Sequence, residues 1–130
     1  MLKYWTKLLQ VFKHAFGQEN PKWSEITVEE LFDRLDSDPP ALLIDVRSVE
    51  DYTCGYGHIP NAVSIPMLEL ESNIKDLSSF KEKEIVTICP GGGMSLVAVE
   101  ILEKAGFKDV KSLKGGTVLW HKKGHPTTTS

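Results

Sequence analysis

Two thiols, Cys54 and Cys89, are the strongest candidate nucleophiles in this 130-residue chain, and they sit in unlike surroundings. Cys89 follows the apolar run Ile85-Val86-Thr87-Ile88 and precedes Pro90-Gly91-Gly92-Gly93-Met94-Ser95. Consecutive glycines can take positive φ and aim backbone N–H groups at one point, and a helix beginning just after them adds the positive end of its dipole. Both features favour an anion at the centre of the loop. Thiolate is the reactive form of cysteine, so such a cradle would activate Cys89 without help from a histidine. Cys89 is thus the candidate catalytic residue, with Pro90, Gly91, Gly92, Gly93, Met94 and Ser95 as the loop that would contact substrate. The Ser95 hydroxyl has two uses open to it, a bond to the sulfur or a cap on the following helix. Taken alone, the loop also fits a buried strand-end cysteine followed by a tight turn.

The elements that would position this loop can be read from hydrophobic spacing. Ala41-Leu42-Leu43-Ile44 and Ile85–Ile88 are short continuous apolar runs, as expected for strands covered on both faces. Ala62 to Ile65 and Val110 to Leu113 are further strand candidates. Thr27 and Glu30 have capping-box spacing, and Val28, Leu31, Phe32 and Leu35 give an apolar helical face that must end before Pro39-Pro40. Ser95 to Ala105 has a second helical pattern, closed by Gly106. Strands alternating with helices imply an α/β domain whose sheet is mainly parallel. Cys89 then falls at the carboxyl end of a parallel strand, where open α/β sheets form their ligand crevices.

Composition narrows the function classes. The hydrophobic fraction of 41% suffices for one core. A net charge of -3 carries no basic excess of the kind that tracks phosphates, so no nucleic-acid partner is expected. Two cysteines outside any Cys-x-x-Cys pair suit a reducing compartment, and the cytoplasm is the expected location. No apolar run approaches the roughly 18 residues of a membrane span. Residues 1–23 hold four lysines and one glutamate, +3 in formal charge, leaving -6 for the rest. Within residues 2–16, Trp5, Leu8, Leu9, Phe12 and Phe16 recur at helical spacing opposite Lys3, Lys7 and Lys13, which predicts a basic amphipathic helix. Its apolar face could pack on its own domain, on a second copy, or against a membrane surface. The expected organisation is this helix with its linker over 1–23, a domain over 24–126, and a loose polar tail over 127–130.

The order of several separate motifs resembles the rhodanese-like family of single-domain sulfurtransferases. Asp45-Val46-Arg47, Glu50 with Tyr52, Gly57-His58-Ile59-Pro60-Asn61-Ala62, Cys89 with its loop, and Leu113-Lys114-Gly115-Gly116 with Trp120, Gly124 and Pro126 follow that pattern over about residues 24–126. The resemblance implies a five-stranded, mainly parallel sheet with helices on both faces, to which the amphipathic helix would be added. It implies a sulfurtransferase that moves sulfane sulfur from thiosulfate, polysulfide or a protein persulfide to a thiol or cyanide acceptor through a Cys89 persulfide. The alternative is a non-catalytic rhodanese-like binding or sensor module. The implied partners are a small sulfur donor, a thiol acceptor and a persulfide-carrying protein. No cofactor is implied. Asp45, Arg47, Glu50 and His58 resemble the polar framework that fixes the turn beside the active-site strand.

The chain also departs from the pattern. Many family members carry a basic residue in or at the end of the loop, whereas this loop is neutral and ends in Met94. Without such a cation a doubly charged donor is less well held, which weights the expectation toward polysulfide or a protein persulfide. Lys111, Lys114, Lys122 and Lys123 are candidates for charge at the rim, against the ordinary reading of a solvated surface. The related phosphatases need an arginine six residues after the cysteine; Ser95 stands there, so phosphatase activity is not expected. The segment between Tyr52 and Gly57 is about two residues longer than usual and contains Cys54, a candidate for pairing with Cys89. Cys54, His58, Cys89, His121 and His125 lack metal-ligand spacing, and no metal site is expected.

Overall fold

The computed structural model describes residues 24–130; the helix expected over 2–16 and the linker to Trp23 lie outside the described residues. Five strands form one sheet: β1 (Glu25–Ile26), β2 (Leu42–Asp45), β3 (Val63–Ser64), β4 (Glu84–Ile88) and β5 (Asp109–Leu113). Their order is β1-β5-β4-β2-β3 and every pairing is parallel. The expectation of a mainly parallel sheet therefore becomes one of a wholly parallel sheet. β4 lies at its centre, with Ile88 in register with Asp45 of β2 and Thr87 with Ser112 of β5.

Local chemistry starts and stops the helices. α1 (Val28–Arg34) opens on a reciprocal capping box, with the Glu30 amide donating to Thr27 Oγ1 and the Thr27 amide to Glu30 Oε1, both at 3.1 Å. α2 (Val49–Thr53) is capped by the Ser48 hydroxyl, which accepts from the Asp51 amide. The short α3 (Leu70–Asn73) lies between two 3-10 segments, Met67–Glu69 and Lys75–Phe80. α4 (Met94–Lys104) follows Cys89 and its glycines, and α5 (Gly116–Lys122) follows β5.

Strand alternation divides the apolar residues into two cores. Ile44 and Val46, Ile85, and Val110 point to the face covered by α4, where they meet Val97, Ala98 and Leu102. Leu43, Val86 and Ile88, and Leu113 point to the opposite face, where Val28 and Leu31 of α1 and Trp120 of α5 close over them. Trp120 is fully buried, and its Nε1 donates to the Pro126 carbonyl at 2.8 Å. That bond satisfies the one polar atom of a side chain whose burial supplies a large apolar contribution. The tail expected to be loose over 127–130 is tied down at Thr128. Its amide and carbonyl pair with those of His58 in an antiparallel bridge, both bonds 2.8 Å. The Thr128 backbone thereby satisfies the N–H and carbonyl of His58.

Candidate functional site

The same alternation that builds the cores aims the chemistry. Thr87 and Cys89 project from the central strand on the α4 side, Ser112 does so from β5, and Ser95 sits on the first turn of α4. All four are buried, Cys89 at 2% exposure. The Gly92 amide donates to Cys89 Sγ at 3.0 Å, and Ser95 Oγ lies 3.3 Å from the sulfur. Of the loop amides, the one on Gly92 is within bonding distance of Sγ, so the cradle is narrower than a full convergence of Gly91 to Ser95. The two uses open to Ser95 are resolved toward the sulfur. Gly93 occupies the helix cap position without a side-chain cap, and Ser95 is already one residue inside α4.

Neighbouring elements hold the loop in shape. Thr87 Oγ1 donates to the Ser95 carbonyl at 2.8 Å, fixing the first turn of α4 to the strand. The Thr117 and Val118 amides, at the start of α5, donate to the carbonyls of Cys89 and Pro90, each at 3.0 Å. This contact explains the paired glycines after β5. A Cβ on Gly116, whose φ is +62°, would lie 2.2 Å from the Cys89 carbonyl oxygen and 2.4 Å from that of Pro90. Gly92, with φ +95°, meets the same turn: a Cβ there would lie 3.0 Å from the Gly115 nitrogen. Two backbones approach each other at these points, and only glycine fits.

On the solvent side the loop opens at Pro90, Gly91 and Met94, which are exposed, with Met94 at 42%. Pro90 forms one wall of a cleft of about 250 Å³ whose other lining includes Arg47, Glu50, Asp51, Cys54 and Tyr56. Arg47 is the cation among the residues lining this cleft, and it is committed. Its Nη2 donates to Asp45 Oδ2 and to the Gly57 carbonyl, both at 2.8 Å, and its Nε and backbone N–H also reach Asp45. Burial works against the guanidinium charge, but the bond and attraction to Asp45 outweigh it and hold Arg47 above its ordinary range. The rim lysines give less than their number suggests. Lys111 is drawn away to Glu84 and Asp109, both at 2.7 Å, and Lys123 is paired with Glu29. Lys114 and Lys122 are exposed.

The polar framework around the cleft is built from the residues singled out by sequence, together with others that sequence reasoning missed. His58 is buried, stacks on Tyr52 at 3.5 Å between ring centroids, and places Nδ1 2.7 Å from the Tyr52 carbonyl. Tyr56, in the extended segment, stacks on His121 at 4.2 Å and donates to Thr117 Oγ1 at 3.2 Å, joining that segment to α5. His125 stacks on Phe32 at 4.4 Å. Cys54 and Cys89 are both free thiols, the first exposed and the second buried. Glu50 is exposed on the cleft and lacks the buried contacts of Asp45 and Arg47. Thr87, Ser112 and Thr117 went unread as site residues. The available signal was a hydroxyl in the apolar run two residues before Cys89 for Thr87, while Ser112, in a strand that also carries Asp109 and Lys111, offered only its place one residue before Leu113.

A family model described as a rhodanese-like domain matches residues 27–123. A sulfurtransferase of Allochromatium vinosum is 30% identical over 103 residues, covering 79% of this chain and 92% of that protein. YrkF of Bacillus subtilis is 35% identical over 96 residues, covering 74% of this chain and 50% of that longer protein. The crystal structure of a rhodanese-related protein from Thermoplasma volcanium superposes with a TM-score of 0.73 at 27% identity, covering 83% of this chain and all of that one.

Proposed function

The chain belongs to the rhodanese-like domain family, and from that premise we propose that it is a sulfurtransferase in which Cys89 carries sulfane sulfur as a persulfide. The observation that carries this reading is the Cys89 sulfur itself. It is shielded at the carboxyl end of the central strand, with one backbone N–H and one hydroxyl directed at it. In the first step the Cys89 thiolate attacks the outer sulfur of a donor. With thiosulfate, the bond between its two sulfurs breaks, sulfite leaves with the electron pair, and Cys89 holds a persulfide anion. In the second step an acceptor thiolate attacks that outer sulfur, takes it as a new persulfide, and releases the Cys89 thiolate. The Gly92 N–H and the Ser95 hydroxyl are placed to stabilise the Cys89 thiolate that opens and closes the cycle.

The neutral loop favours polysulfide or a protein persulfide over thiosulfate as donor, because thiosulfate concentrates its two charges on one compact ion, whereas a polysulfide chain spreads them and a persulfide carries one. Met94 is exposed where a cation would meet a doubly charged donor, and Arg47 across the cleft is already neutralised by Asp45. Such chemistry suits a reducing compartment such as the cytoplasm. Among the described residues no helix is long and apolar enough to cross a membrane.

The test is intact mass spectrometry of the full chain after incubation with thiosulfate or with polysulfide. One added sulfur, located on Cys89 and removable by a reducing thiol, is expected, with faster loading from polysulfide. A chain that gains no sulfur from any donor would overturn the reading and leave a binding module in its place.

A further inference from the structure

Behind the sulfur lies a second hydroxyl. Ser112 Oγ is 2.6 Å from Ser95 Oγ, and it also reaches the Gly92 carbonyl oxygen at 3.4 Å. Gly92 in turn donates its own N–H to Cys89 Sγ. Sulfur, Ser95, Ser112 and the Gly92 backbone, through its N–H on one side and its carbonyl on the other, therefore close a buried ring of polar contacts, with Ser95 and Ser112 both fully buried.

Each serine has one proton to donate, so the ring has two consistent polarities. With a thiolate at Cys89, Ser112 donates to Ser95 and Ser95 donates to the sulfur. With a neutral sulfur the direction reverses: Cys89 donates, or ceases to accept, while Ser95 turns to Ser112 and Ser112 to the Gly92 carbonyl. Only two hydroxyl rotations separate these states. No heavy atom need move, and the thiol proton itself leaves to solvent water.

We propose that Ser112 is a positioning residue for Cys89, a hydroxyl that acts through Ser95 to stabilise the thiolate and reverses its bond direction when the sulfur becomes neutral. The inference rests on the reading that Cys89 turns over, since Sγ must alternate between an anion and the neutral inner sulfur of a persulfide. A ring that fits both states avoids leaving a buried hydroxyl unpaired in either. Around the loop stand Asp45 and Arg47 from the end of β2, Glu50 and Asp51 from α2, Lys111 and Lys114 from β5 and its turn, and His121 from α5. The partners bonded to Sγ are the Gly92 amide and the Ser95 hydroxyl.

The experiment measures iodoacetamide alkylation of Cys89 against pH in the full chain, located by peptide mass spectrometry, and requires neither donor nor acceptor. Ser112→Ala should slow alkylation at pH below the inflection by about three- to tenfold, the weight of one bond in a chain ending on a charge, and should move the inflection upward. The same substitution in a Ser95→Ala background should add nothing, because Ser112 acts through Ser95. Ser112→Thr and Ser112→Val keep volume equal while differing in the hydroxyl; Thr should follow the wild type and Val should follow Ala. Equal profiles for Thr and Val, or fully additive effects of the two alanines, would overturn the proposal. A chain that alkylates as expected yet never gains sulfur would instead overturn the sulfurtransferase reading.

Discussion

At the scale of single residues, the site asks for one nucleophile and a tuned surround. Cys89→Ser replaces the only thiol held in the loop while changing one atom in a backbone cradle, so it should abolish sulfur loading and leave the fold intact. Cys54 is exposed at the end of α2, with Thr53 Oγ1 as its near polar neighbour at 3.8 Å. Cys54→Ser should therefore retain most transfer activity. Equal losses in the two variants, measured as thiol-dependent sulfur release, would replace the single-cysteine relay by a dithiol mechanism. Met94 tests donor choice. Its exposed side chain at the start of α4 can be exchanged for a long cation without displacing the core, and Met94→Arg should raise thiosulfate turnover relative to polysulfide turnover. Because the gain is electrostatic at an exposed position, it should shrink as salt is added. An unchanged donor ratio at low salt would assign donor choice to other groups. Cys89 and its loop were legible in the sequence because their type and order are local facts. Ser112 was not, since its value arises only when β5 lies beside β4 and brings its hydroxyl to Ser95.

At the scale of elements, the strongest sequence signals were those with an unbroken apolar run or a cap. The Thr27–Glu30 box marked the start of α1, and the runs before Asp45 and Cys89 marked β2 and β4, each within one residue of its observed bounds. β1 has two residues and gains its identity only by pairing with Ser112 and Leu113, so no period could reveal it. α5 begins at a left-handed glycine pair that reads as a turn, and the turns over 67–80 switch between 3-10 and α geometry too often to give a helical stripe. The glycines also separate by role once the elements are assembled. Gly116→Ala should wedge the β5–α5 turn away from the Cys89 and Pro90 carbonyls, costing about 2–4 kcal/mol from the left-handed strain and overpacking together. Gly93 has negative φ and open space where a Cβ would stand, so Gly93→Ala should change the stability by less than about 1 kcal/mol. Chemical denaturation of both variants checks the contrast, and similar losses would mean that the close approach of α5 does not constrain the loop. The Asp45–Arg47 pair ties β2 to the Gly57 turn in a similar way. Arg47→Met would leave the buried Asp45 carboxylate without its cation and should cost about 3–5 kcal/mol. A Tm near that of the wild type would show that solvent can replace the guanidinium there.

For the whole molecule, the division of charge and hydrophobicity along the chain poses a separable question. The matched family region runs from residue 27 to residue 123, and both cores and every residue of the Cys89 ring lie within the described residues 24–130. The apolar positions Trp5, Leu8, Leu9, Phe12 and Phe16 precede all of it. On a helix they would form one continuous face, and a face of that size left in water would favour association with another surface. On such a helix Lys3, Lys7 and Lys13 would carry positive charge on the other side, which would suit an anionic membrane surface as well as the acidic remainder of a second copy. A chain beginning at Lys22 should therefore load sulfur on Cys89 as the full chain does, while differing in self-association, membrane binding or stability. Sedimentation of both chains, with and without vesicles containing anionic lipid, separates these outcomes. A drop in mass on truncation identifies a second copy as the covering surface, and loss of vesicle co-sedimentation identifies the membrane. Unchanged mass and vesicle binding with a lowered Tm means that the segment packs on its own domain. If sulfur loading itself is lost, residues 1–21 belong to the functional unit and the boundary placed near residue 24 is wrong.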